Sequence, residues 1–441
     1  MGLAQPLALS LPMELQTFQP LAMQLFADIR SLTFDGVGVT RASYGEGENA
    51  AAQYLETWAQ GEGLQVARDR AGNLVFSDPA DTRDASGVPA VWVGSHLDSV
   101  PQGGNYDGLA GIVAGLLVQV AARRAGVQLP APLKVLGFRG EESAWFGKAY
   151  MGSGALWGKL TAADLDLQRR GDAKTLRDCM QACGADVEAI ARQEKLLNPR
   201  DIRAYVELHI EQGPVMVARK IPLGVVSGIR GNVRHNLIGC VGEAQHSGVV
   251  PRWLRHDAVF AVADLIMRLD THWRALLERG TDLVVTCGVL QTNPAEHSIS
   301  RVPGYASFSL EARSKSIDTL EAFYQLVQAE MRSIERERGV QFQPDRRLLS
   351  DPATCDTQLS ALLAQACAAR GIAHESIPSG AGHDAALFAN GGVPSAMLFV
   401  RNQHGSHNPH EAMEMDDFMQ GVQVLADMLQ ALPVALPVAA A

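Results

Sequence analysis

The sequence predicts an α/β fold in which a mostly parallel sheet is interrupted by a smaller inserted α+β domain. Through the first two hundred residues, short apolar runs typical of buried strands alternate with helical segments. Near Gly224 the strands become longer and alternate between apolar and polar residues, and after Asp345 the α/β character returns. A chain of 441 residues also exceeds one ordinary core, so two domains are expected.

The elements of the larger domain follow from the spacing of apolar residues. Tyr54 and Trp58 lie one helical turn apart, and Gly61 supplies a stop signal. Helices are predicted over residues 49–60, 108–124 and 357–370, the second of them rich in small residues that allow close packing on a sheet. Buried strands are predicted at residues 91–94, 133–138, 204–209 and 395–400.

The inserted domain has a different pattern. Residues 224–240 and 283–313 read as half-exposed antiparallel strands, residues 255–277 as an amphipathic helix, and residues 317–338 as a second helix that stops at Gly339. Two strands, a helix, two strands and a helix suit a four-stranded sheet with two helices on one face. We therefore predict one domain from residues 1–223 and 340–441, and an inserted domain from residues 224–339.

Composition excludes several classes of function. The net charge of −10 argues against nucleic acid as a partner, because phosphate binding needs a basic face. No run approaches the roughly 20 apolar residues of a membrane span. The apolar stretch at residues 7–11 has no basic residues before it, so we expect a cytoplasmic protein. The six cysteines contain no CxxC pair and are expected to be reduced.

A glycine-rich turn after a buried strand carries the most informative residues. His96, Asp98 and Asp107 surround this turn, which follows the apolar run at residues 90–93. An imidazole and two carboxylates delivered into such a loop suit a divalent cation. Three further strand-like runs also end in ligand-type residues: Glu141 and Glu142, His209, and His407. Open α/β sheets place their ligands at these strand ends, which favours a metal site over coincidence.

The candidate ligands comprise three imidazoles and two carboxylates: His96, Asp107, Glu142, His209 and His407. This set suits two zinc ions, or manganese, cobalt or nickel, with one carboxylate bridging. We expect His96 and His209 to bind one ion, Glu142 and His407 the other, and Asp107 to lie between them. Asp98 points the same way as His96 along an extended chain and is expected to orient the imidazole.

Glu141 precedes a proposed ligand and is the candidate general base. One glutamate of such a pair can bind metal while its neighbour accepts the proton of an activated water. The alternative is that Glu141 is a solvated charge before a helix.

The chain resembles the dinuclear metallo-amidohydrolases related to aminoacylase and carboxypeptidase G. It is most similar to the group of N-carbamoyl-L-amino acid hydrolases, β-ureidopropionases and allantoate amidohydrolases. The resemblance covers nearly the whole chain and includes Gly94-Ser-His-Leu-Asp-Ser-Val-Pro-Gln-Gly-Gly, Phe138-Arg-Gly-Glu-Glu142, Glu207-Leu-His-Ile-Glu-Gln-Gly213, Ser379-Gly-Ala-Gly-His-Asp384 and Ser406-His-Asn-Pro409.

The resemblance implies a catalytic domain, an inserted lid through which a homodimer forms, and two divalent metal ions. It implies that His246 stabilises the developing oxyanion from the lid, either within its own subunit or across the dimer. Gln212 would contact the ureido group, and Arg313 would bind the substrate carboxylate. The matched positions Ser300 and Gly382 are further candidates for substrate binding. From the residues alone, Arg313 would be an exposed strand charge and His246 a turn residue.

The chain departs from the family at the substrate end. The family usually reads Asn-Val-Ile-Pro-Gly where this chain has Ser300-Arg-Val-Pro-Gly304, and Ser300 lacks the amide that helps the arginine bind a carboxylate. Glu296 and His297 are also unusual. Before His407 the family tends to read Asp-Gly-Ile-Ser, whereas this chain has Gln-His-Gly-Ser.

The functional expectation is hydrolysis of a linear carbamoyl or ureido C–N bond in a small substrate that carries a carboxylate. An N-carbamoyl-L-amino acid or a ureido acid such as allantoate fits best. The alternative within the same chemistry is an N-acyl amino acid or peptide amide. A binding or scaffold protein without catalysis would need a broken ligand set, and none of the ligand positions is broken.

Overall fold

The computed structural model describes residues 13–433, which form two compact units. The first contains the described residues up to Ser227 and from Thr354 onward, and the second is Gly228–Ala353. The apolar stretch at residues 7–11 lies outside the described residues.

The helices of the described residues are α1 (Gln19–Thr33), α2 (Glu46–Gly61), α3 (Leu109–Ala125), α4 (Met151–Leu156), α5 (Ala162–Leu165), α6 (Leu176–Ala182), α7 (Val187–Ala191), α8 (Val215–Arg219), α9 (Ala258–Glu278), α10 (Ile317–Arg338), α11 (Thr357–Ala369), α12 (Asp384–Asn390) and α13 (Met415–Gln430). None of these helices is both long enough and apolar enough to cross a membrane.

The strands are β1 (Gln65–Arg68), β2 (Leu74–Ser77), β3 (Ala90–His96), β4 (Leu133–Phe138), β5 (Ile202–Ile210), β6 (Leu223–Ile229), β7 (Gly231–Val241), β8 (Gln245–His246), β9 (Val284–Thr286), β10 (Leu290–Thr292), β11 (Arg301–Val302), β12 (Tyr305–Ser314), β13 (Gln341–Pro344), β14 (Leu348–Ser350), β15 (His374–Ser379), β16 (Ser395–Val400), β17 (Asn402–Gln403) and β18 (Ala412–Met413). All the elements predicted for the larger domain are present, with ends shifted by a few residues.

The first unit is built on an eight-stranded sheet in the order β1-β2-β4-β3-β5-β16-β6-β15. Its four central strands, β4, β3, β5 and β16, run parallel to one another. β1, β2 and β4 pair antiparallel at one side, and β6 pairs antiparallel with β16 at the other. The α/β prediction is therefore confirmed, with the parallel pairing concentrated at the centre of the sheet.

Helix α3 packs closely against the central strands because its contact face carries glycine. A Cβ atom at Gly111 would lie 2.3 Å from the Leu208 carbonyl oxygen and 2.8 Å from the Ser95 Cβ. The apolar side chains of α3 are buried with those of α13 and the central strands in one core. This packing fixes the sheet edge at which the candidate ligands lie.

The second unit has an antiparallel sheet with two central strands, β7 and β12. One outer position is shared by β9 and β10, which both pair with β12, and the other by β13 and β14, which both pair with β7. The sheet therefore has the four strand positions that we predicted, but each outer position is filled by two short strands instead of one continuous strand. Helices α9 and α10 pack on this sheet through a second core that includes Leu265, Phe308 and Phe323.

The smaller unit begins at Gly228 rather than at the predicted residue 224, and it ends at Ala353 rather than at residue 339. Most of β6 lies within the predicted insertion, but β6 pairs with β16 and its residues up to Ser227 belong to the larger unit. Residues 340–353 were assigned to the larger domain, but β13 and β14 pair with β7 and belong to the smaller one. Both errors arise because strand pairing between distant segments leaves no local signal in the sequence.

Candidate metal centre

The candidate ligands follow the four central strands of the parallel sheet. His96 is the last residue of β3, and His209 lies next to the end of β5. Glu142 follows β4, and His407 lies in the loop between β17 and β18, shortly after β16. Because neighbouring parallel strands end at the same edge of a sheet, four distant segments bring their side chains together there.

Asp107 lies between two groups of ligand atoms. Its Oδ1 atom is 3.4 Å from His96 Nε2 and 3.2 Å from His209 Nε2. Its Oδ2 atom is 3.5 Å from His407 Nε2, which is 3.3 Å from Glu142 Oε1. The atoms form two clusters that share Asp107, one with His96 and His209 and the other with Glu142 and His407. This is the division that we expected from the sequence.

The donor atoms fit divalent cations. Ligands bound tetrahedrally at about 2.0–2.1 Å are separated by about 3.3 Å, close to the distances within both clusters. Asp107 Oδ1 and His209 Nε2 are buried and have no hydrogen-bond partner, although they are near each other. Two unsatisfied acceptors in contact need a positive species between them, either a proton or a metal ion. Imidazole and carboxylate together are a donor set suited to transition metals.

In His96 and His209, the contact made by Nδ1 determines which ring nitrogen carries the proton. His209 Nδ1 lies 2.8 Å from the Ile210 carbonyl oxygen, and His96 Nδ1 lies 3.1 Å from the Asp98 carbonyl oxygen. An Nδ1–H group that donates to a carbonyl leaves the Nε2 lone pair free to bind metal. Burial opposes protonation of both rings, but the adjacent Asp107 carboxylate raises the pKa of each above the ordinary histidine value.

His407 differs from the other two histidines in its exposure. About half of its side chain, 51%, is exposed, and its backbone adopts a left-handed conformation with φ of 62°. The hydrogen bond to Glu142 raises the pKa of His407 to about 9. In the absence of metal, His407 therefore holds a proton at neutral pH that a cation must displace.

Gly108 allows the loop that carries Asp107 to pass close to His96. Its backbone is left-handed, with φ of 70°, and a Cβ atom there would lie 2.4 Å from His96 Nδ1. Only glycine satisfies both conditions without strain.

Asp98 organises the loop that carries both glutamates. Its carboxylate accepts hydrogen bonds from the backbone N–H groups of Glu141 and Glu142, at 2.9 and 3.0 Å, and from the Ser43 hydroxyl at 2.6 Å. It also lies 3.5 Å from His96 Nδ1. Asp98 thus connects the loops after β3 and β4, which is a wider role than orienting one imidazole.

Glu141 faces the first cluster. Its Oε2 atom is 4.0 Å from His96 Nε2, and only 11% of its side chain is exposed. Burial raises the pKa of Glu141 well above the ordinary glutamate value, against the opposing charge of His96, and the nearby carboxylate of Glu142 raises it further. The interpretation of Glu141 as a solvated surface charge is wrong for this geometry.

Gln212 and Gly382 lie in the same unit as the clusters. The Gln212 side-chain amide donates to Asp107 Oδ2 at 2.8 Å, so it contacts the shared carboxylate. A Cβ atom at Gly382 would lie 1.6 Å from the Tyr150 hydroxyl. Gly382 therefore provides the space that Tyr150 occupies.

Glu411 is a residue of the site that sequence reasoning missed. Its Oε1 atom accepts hydrogen bonds from the backbone N–H groups of Tyr106 at 2.8 Å and Asp107 at 3.2 Å, and its Oε2 atom accepts one from the Ser406 hydroxyl at 2.6 Å. Glu411 connects the loop of Asp107 with that of His407. The only sequence signal is its position four residues after His407.

Sequence reasoning also missed His383, although this residue lies in one of the stretches that carry the family resemblance. It is buried, its ring lies edge-on to His209 at 4.5 Å, and it could join Glu207 and His209 in a third group of ligand type. Glu207 is already satisfied, since it accepts hydrogen bonds from the Ser95 hydroxyl and the Ala385 N–H group. Burial lowers the pKa of His383 well below the ordinary value, so it packs as a neutral ring.

The remaining predicted residues belong to the second unit. His246 is exposed in β8, and Ser300 is exposed just before β11. Arg313 lies in β12 and forms a two-pronged ion pair with Glu311, with both N–O distances at 3.0 Å. The guanidinium group assigned to a substrate carboxylate thus already contacts a carboxylate of its own chain.

An α/β unit with clusters of metal-ligand type at the carboxyl edge of its sheet, in a chain that also has an antiparallel α+β unit, defines a class of two-unit α/β proteins with a candidate metal centre. The chain belongs to Peptidase family M20/M25/M40, whose sequence model matches residues 92–431. This membership confirms the family resemblance.

Three comparisons support it. The N-carbamoyl-L-amino acid amidohydrolase of Geobacillus stearothermophilus is 33% identical over 389 residues, 88% of this chain and 92% of that protein. The allantoate amidohydrolase of Escherichia coli (strain K12) is 33% identical over 408 residues, 90% of this chain and 93% of that protein. The crystal structure of an amidase of the hydantoinase/carbamoylase family from Burkholderia multivorans is 26% identical and has a TM-score of 0.84, covering 93% of this chain and 97% of that chain.

Proposed function

We propose that this protein hydrolyses the carbamoyl or ureido C–N bond of a small substrate that carries a carboxylate. The substrate class is an N-carbamoyl-L-amino acid or a ureido acid such as allantoate. The observation that carries the proposal is the buried Asp107 carboxylate shared by two clusters of ligand atoms, with Glu141 beside them. The similarity to relatives named for these two activities supports the choice of bond.

We propose two divalent cations, zinc or alternatively manganese, cobalt or nickel. His96, Asp107 and His209 would hold one, and Asp107, Glu142 and His407 the other. Such a pair, when bound, polarises the scissile carbonyl and makes water a stronger acid. The Gln212 side-chain amide donates a hydrogen bond to the outer oxygen of Asp107 and so keeps the Asp107 carboxylate in the shared orientation.

Glu141 is the proton carrier of the proposed reaction. Its carboxylate accepts the proton of the attacking water and returns it to the leaving nitrogen. A carboxyl group serves best in both directions when its pKa lies near the working pH, and burial raises the pKa of Glu141 in that direction. The backbone N–H groups of Glu141 and Glu142 donate hydrogen bonds to the Asp98 carboxylate, and these bonds fix the position of the Glu141 side chain.

We propose that a substrate is bound by two chains, because two of the assigned residues lie far apart in one chain. Arg313 pairs with Asn232 near one end of the β7–β12 ladder, and Tyr305 pairs with Val241 at the other. Eight residues of extended strand separate Tyr305 from Arg313, roughly 26 Å. His246 lies beyond Tyr305, because the chain continues from there through Gly304 to β11 and its partner β8. A small ureido acid cannot span that length.

The proposed partner is therefore a second copy of this chain, joined through residues 228–353. Large apolar side chains are exposed on and before α9 in this unit: Trp253 at 80%, Phe260 at 62% and Met267 at 61%. Exposed apolar residues grouped in this way are typical of an interface. A two-fold dimer would let Arg313 of one chain and His246 of the partner subunit meet one substrate.

Mixing two inactive variants tests the shared site. His246→Ala and Arg313→Ala dimers, after subunit exchange, should regain about a quarter of the wild-type activity, because half the dimers are mixed and each has one intact site. If both residues act within one chain, the mixture stays inactive. Sedimentation of the wild type should show a dimer, and a monomer with full activity would contradict the proposal.

A substrate panel tests the reaction. Metal-loaded protein is offered N-carbamoyl-L-amino acids, allantoate and N-acetyl-L-amino acids, and the release of ammonia is measured beside that of free amine. Carbamoyl and ureido substrates should yield ammonia. Turnover of N-acetyl substrates alone, with amine released and no ammonia, would favour the alternative N-acyl or peptide amidohydrolase.

A further inference from the structure

Arg301 lies directly opposite His246 in the short antiparallel pair of β8 and β11. The register pairs Arg301 with His246 and Val302 with Gln245. Val302 is buried, whereas Arg301 and His246 are both exposed. Directly opposed residues of an antiparallel pair have Cβ atoms about 5 Å apart and project from the same face. Arg301 and His246 therefore form one exposed surface.

The guanidinium group of Arg301 has no ion pair or side-chain hydrogen bond within residues 13–433. Arg230 and Arg313 of the same unit are paired with the carboxylates of Asp282 and Glu311, whereas Arg301, like the exposed Arg279, has no such partner among the described residues. An exposed strand arginine without a partner keeps its full capacity to bind an anion in two-pronged geometry.

Arg301 also lines a cavity of about 350 Å³. The cavity wall includes Glu296, whose carboxylate accepts a hydrogen bond from the Asn293 amide at 3.1 Å. It also includes His297, whose Nε2 atom is 2.6 Å from the Thr292 hydroxyl. Glu296 is the charge that opposes an anion here, but its carboxylate is already engaged within its own turn. Arg301 is the cation of this wall that remains available to a ligand.

We propose that Arg301 binds a second anionic group of the substrate, a carboxylate in the side chain of the N-carbamoyl amino acid. This inference rests on the proposed function, in which His246 meets the scissile carbonyl. However the two units are arranged, a residue directly opposite His246 is then within reach of groups a few bonds from that carbonyl.

The position of Arg301 relative to the β7–β12 ladder distinguishes its proposed ligand, a side-chain carboxylate, from the α-carboxylate of the substrate. Arg313, the residue assigned to the α-carboxylate, lies at the opposite end of the β7–β12 ladder. In the proposed dimer, Arg313 and the surface formed by Arg301 and His246 come from different chains and meet different parts of one substrate. With the carbonyl at His246 and the α-carboxylate at Arg313, the side chain is the part left for Arg301.

The test compares two substrates that differ only in charge, N-carbamoyl-L-aspartate and N-carbamoyl-L-asparagine. The wild type should prefer the aspartate derivative in kcat/KM. Arg301→Val should lower that preference about tenfold, mainly through KM for the aspartate derivative, because one charge-assisted contact is lost at a partly exposed site. Glu296→Gln should increase the preference. Arg279→Val, an exposed arginine at the end of α9, should leave the preference unchanged.

Binding separates this inference from the proposed function. The Glu141→Gln variant is titrated with both compounds by calorimetry, with and without Arg301→Val. Tighter binding of the aspartate derivative that is lost with Arg301 supports the inference even if the wild type hydrolyses no carbamoyl or ureido substrate of the panel, a result that would overturn the proposed function alone. Equal losses for both compounds, or a preference that survives Arg301→Val, would overturn the inference and leave the proposed function standing.

Discussion

Metal binding to this protein should depend on pH through His407. The Glu142 carboxylate raises the pKa of this histidine to about 9 in the absence of metal. Only the deprotonated ring can bind a cation, so the metal competes with a proton below that pKa. The affinity of the second cluster should therefore rise as the pH increases from 7 to 9 and level off above the pKa.

The size of this effect on metal affinity follows from the pKa and the exposure of His407. A proton held with a pKa of about 9 would weaken binding at pH 7 by up to about 100-fold, since each pH unit below the pKa costs about tenfold. Because about half of the His407 side chain, 51%, is exposed, solvent screening reduces this effect. We expect a gain in affinity of about tenfold from His407 between pH 7 and pH 9.

Calorimetry in two buffers of different ionisation enthalpy measures the protons released on metal binding. The wild type should release more protons at pH 7 than at pH 9. His407→Gln should lose the second ion and its proton, while the ion held by His96 and His209 remains. Equal proton release by the wild type and His407→Gln at pH 7 would refute the reasoning, because the proton would then come from another group.

Three further predictions concern single residues. Glu141→Gln should keep both ions in metal analysis but lower kcat about 10²–10⁴-fold, because only the proton carrier is removed; unchanged turnover would contradict its role. Glu411→Ala should weaken metal binding about 10–100-fold in chelator competition, because it frees the loops of Asp107 and His407, whereas Glu411→Gln retains an acceptor and should lose less. Gly111→Ala should lower the free energy of unfolding in urea by about 1–3 kcal/mol, because its Cβ meets the Leu208 carbonyl at 2.3 Å.

The ligand clusters could be predicted from the sequence because each candidate follows a recognisable buried strand. Parallel strands end at one edge of a sheet, so the local patterns around His96, Glu142, His209 and His407 already implied that these residues would meet. The set of three imidazoles and two carboxylates predicts one shared carboxylate, which we expected to be Asp107. The two distances from Asp107 Oδ1 to His96 and His209 agree with that expectation.

The supporting contacts could not be predicted in the same way. Glu411 acts by accepting hydrogen bonds from backbone N–H groups some three hundred residues away, and no local pattern encodes that partner. The ion pair between Arg313 and Glu311 is local, since alternate strand residues share a face, and could have been foreseen. The outer position of the inserted sheet that β13 and β14 share was missed, because these are short edge strands whose pairing with β7 is purely tertiary.

A crystal structure of the metal-loaded protein, with anomalous scattering recorded at the metal edge, tests the central assignment most directly. Two peaks on either side of the Asp107 carboxylate are predicted, one bonded to His96 and His209 and the other to Glu142 and His407. Asp107→Ala should lose both peaks. Fully occupied ions bound elsewhere, or two ions that persist without the Asp107 carboxylate, would contradict the account.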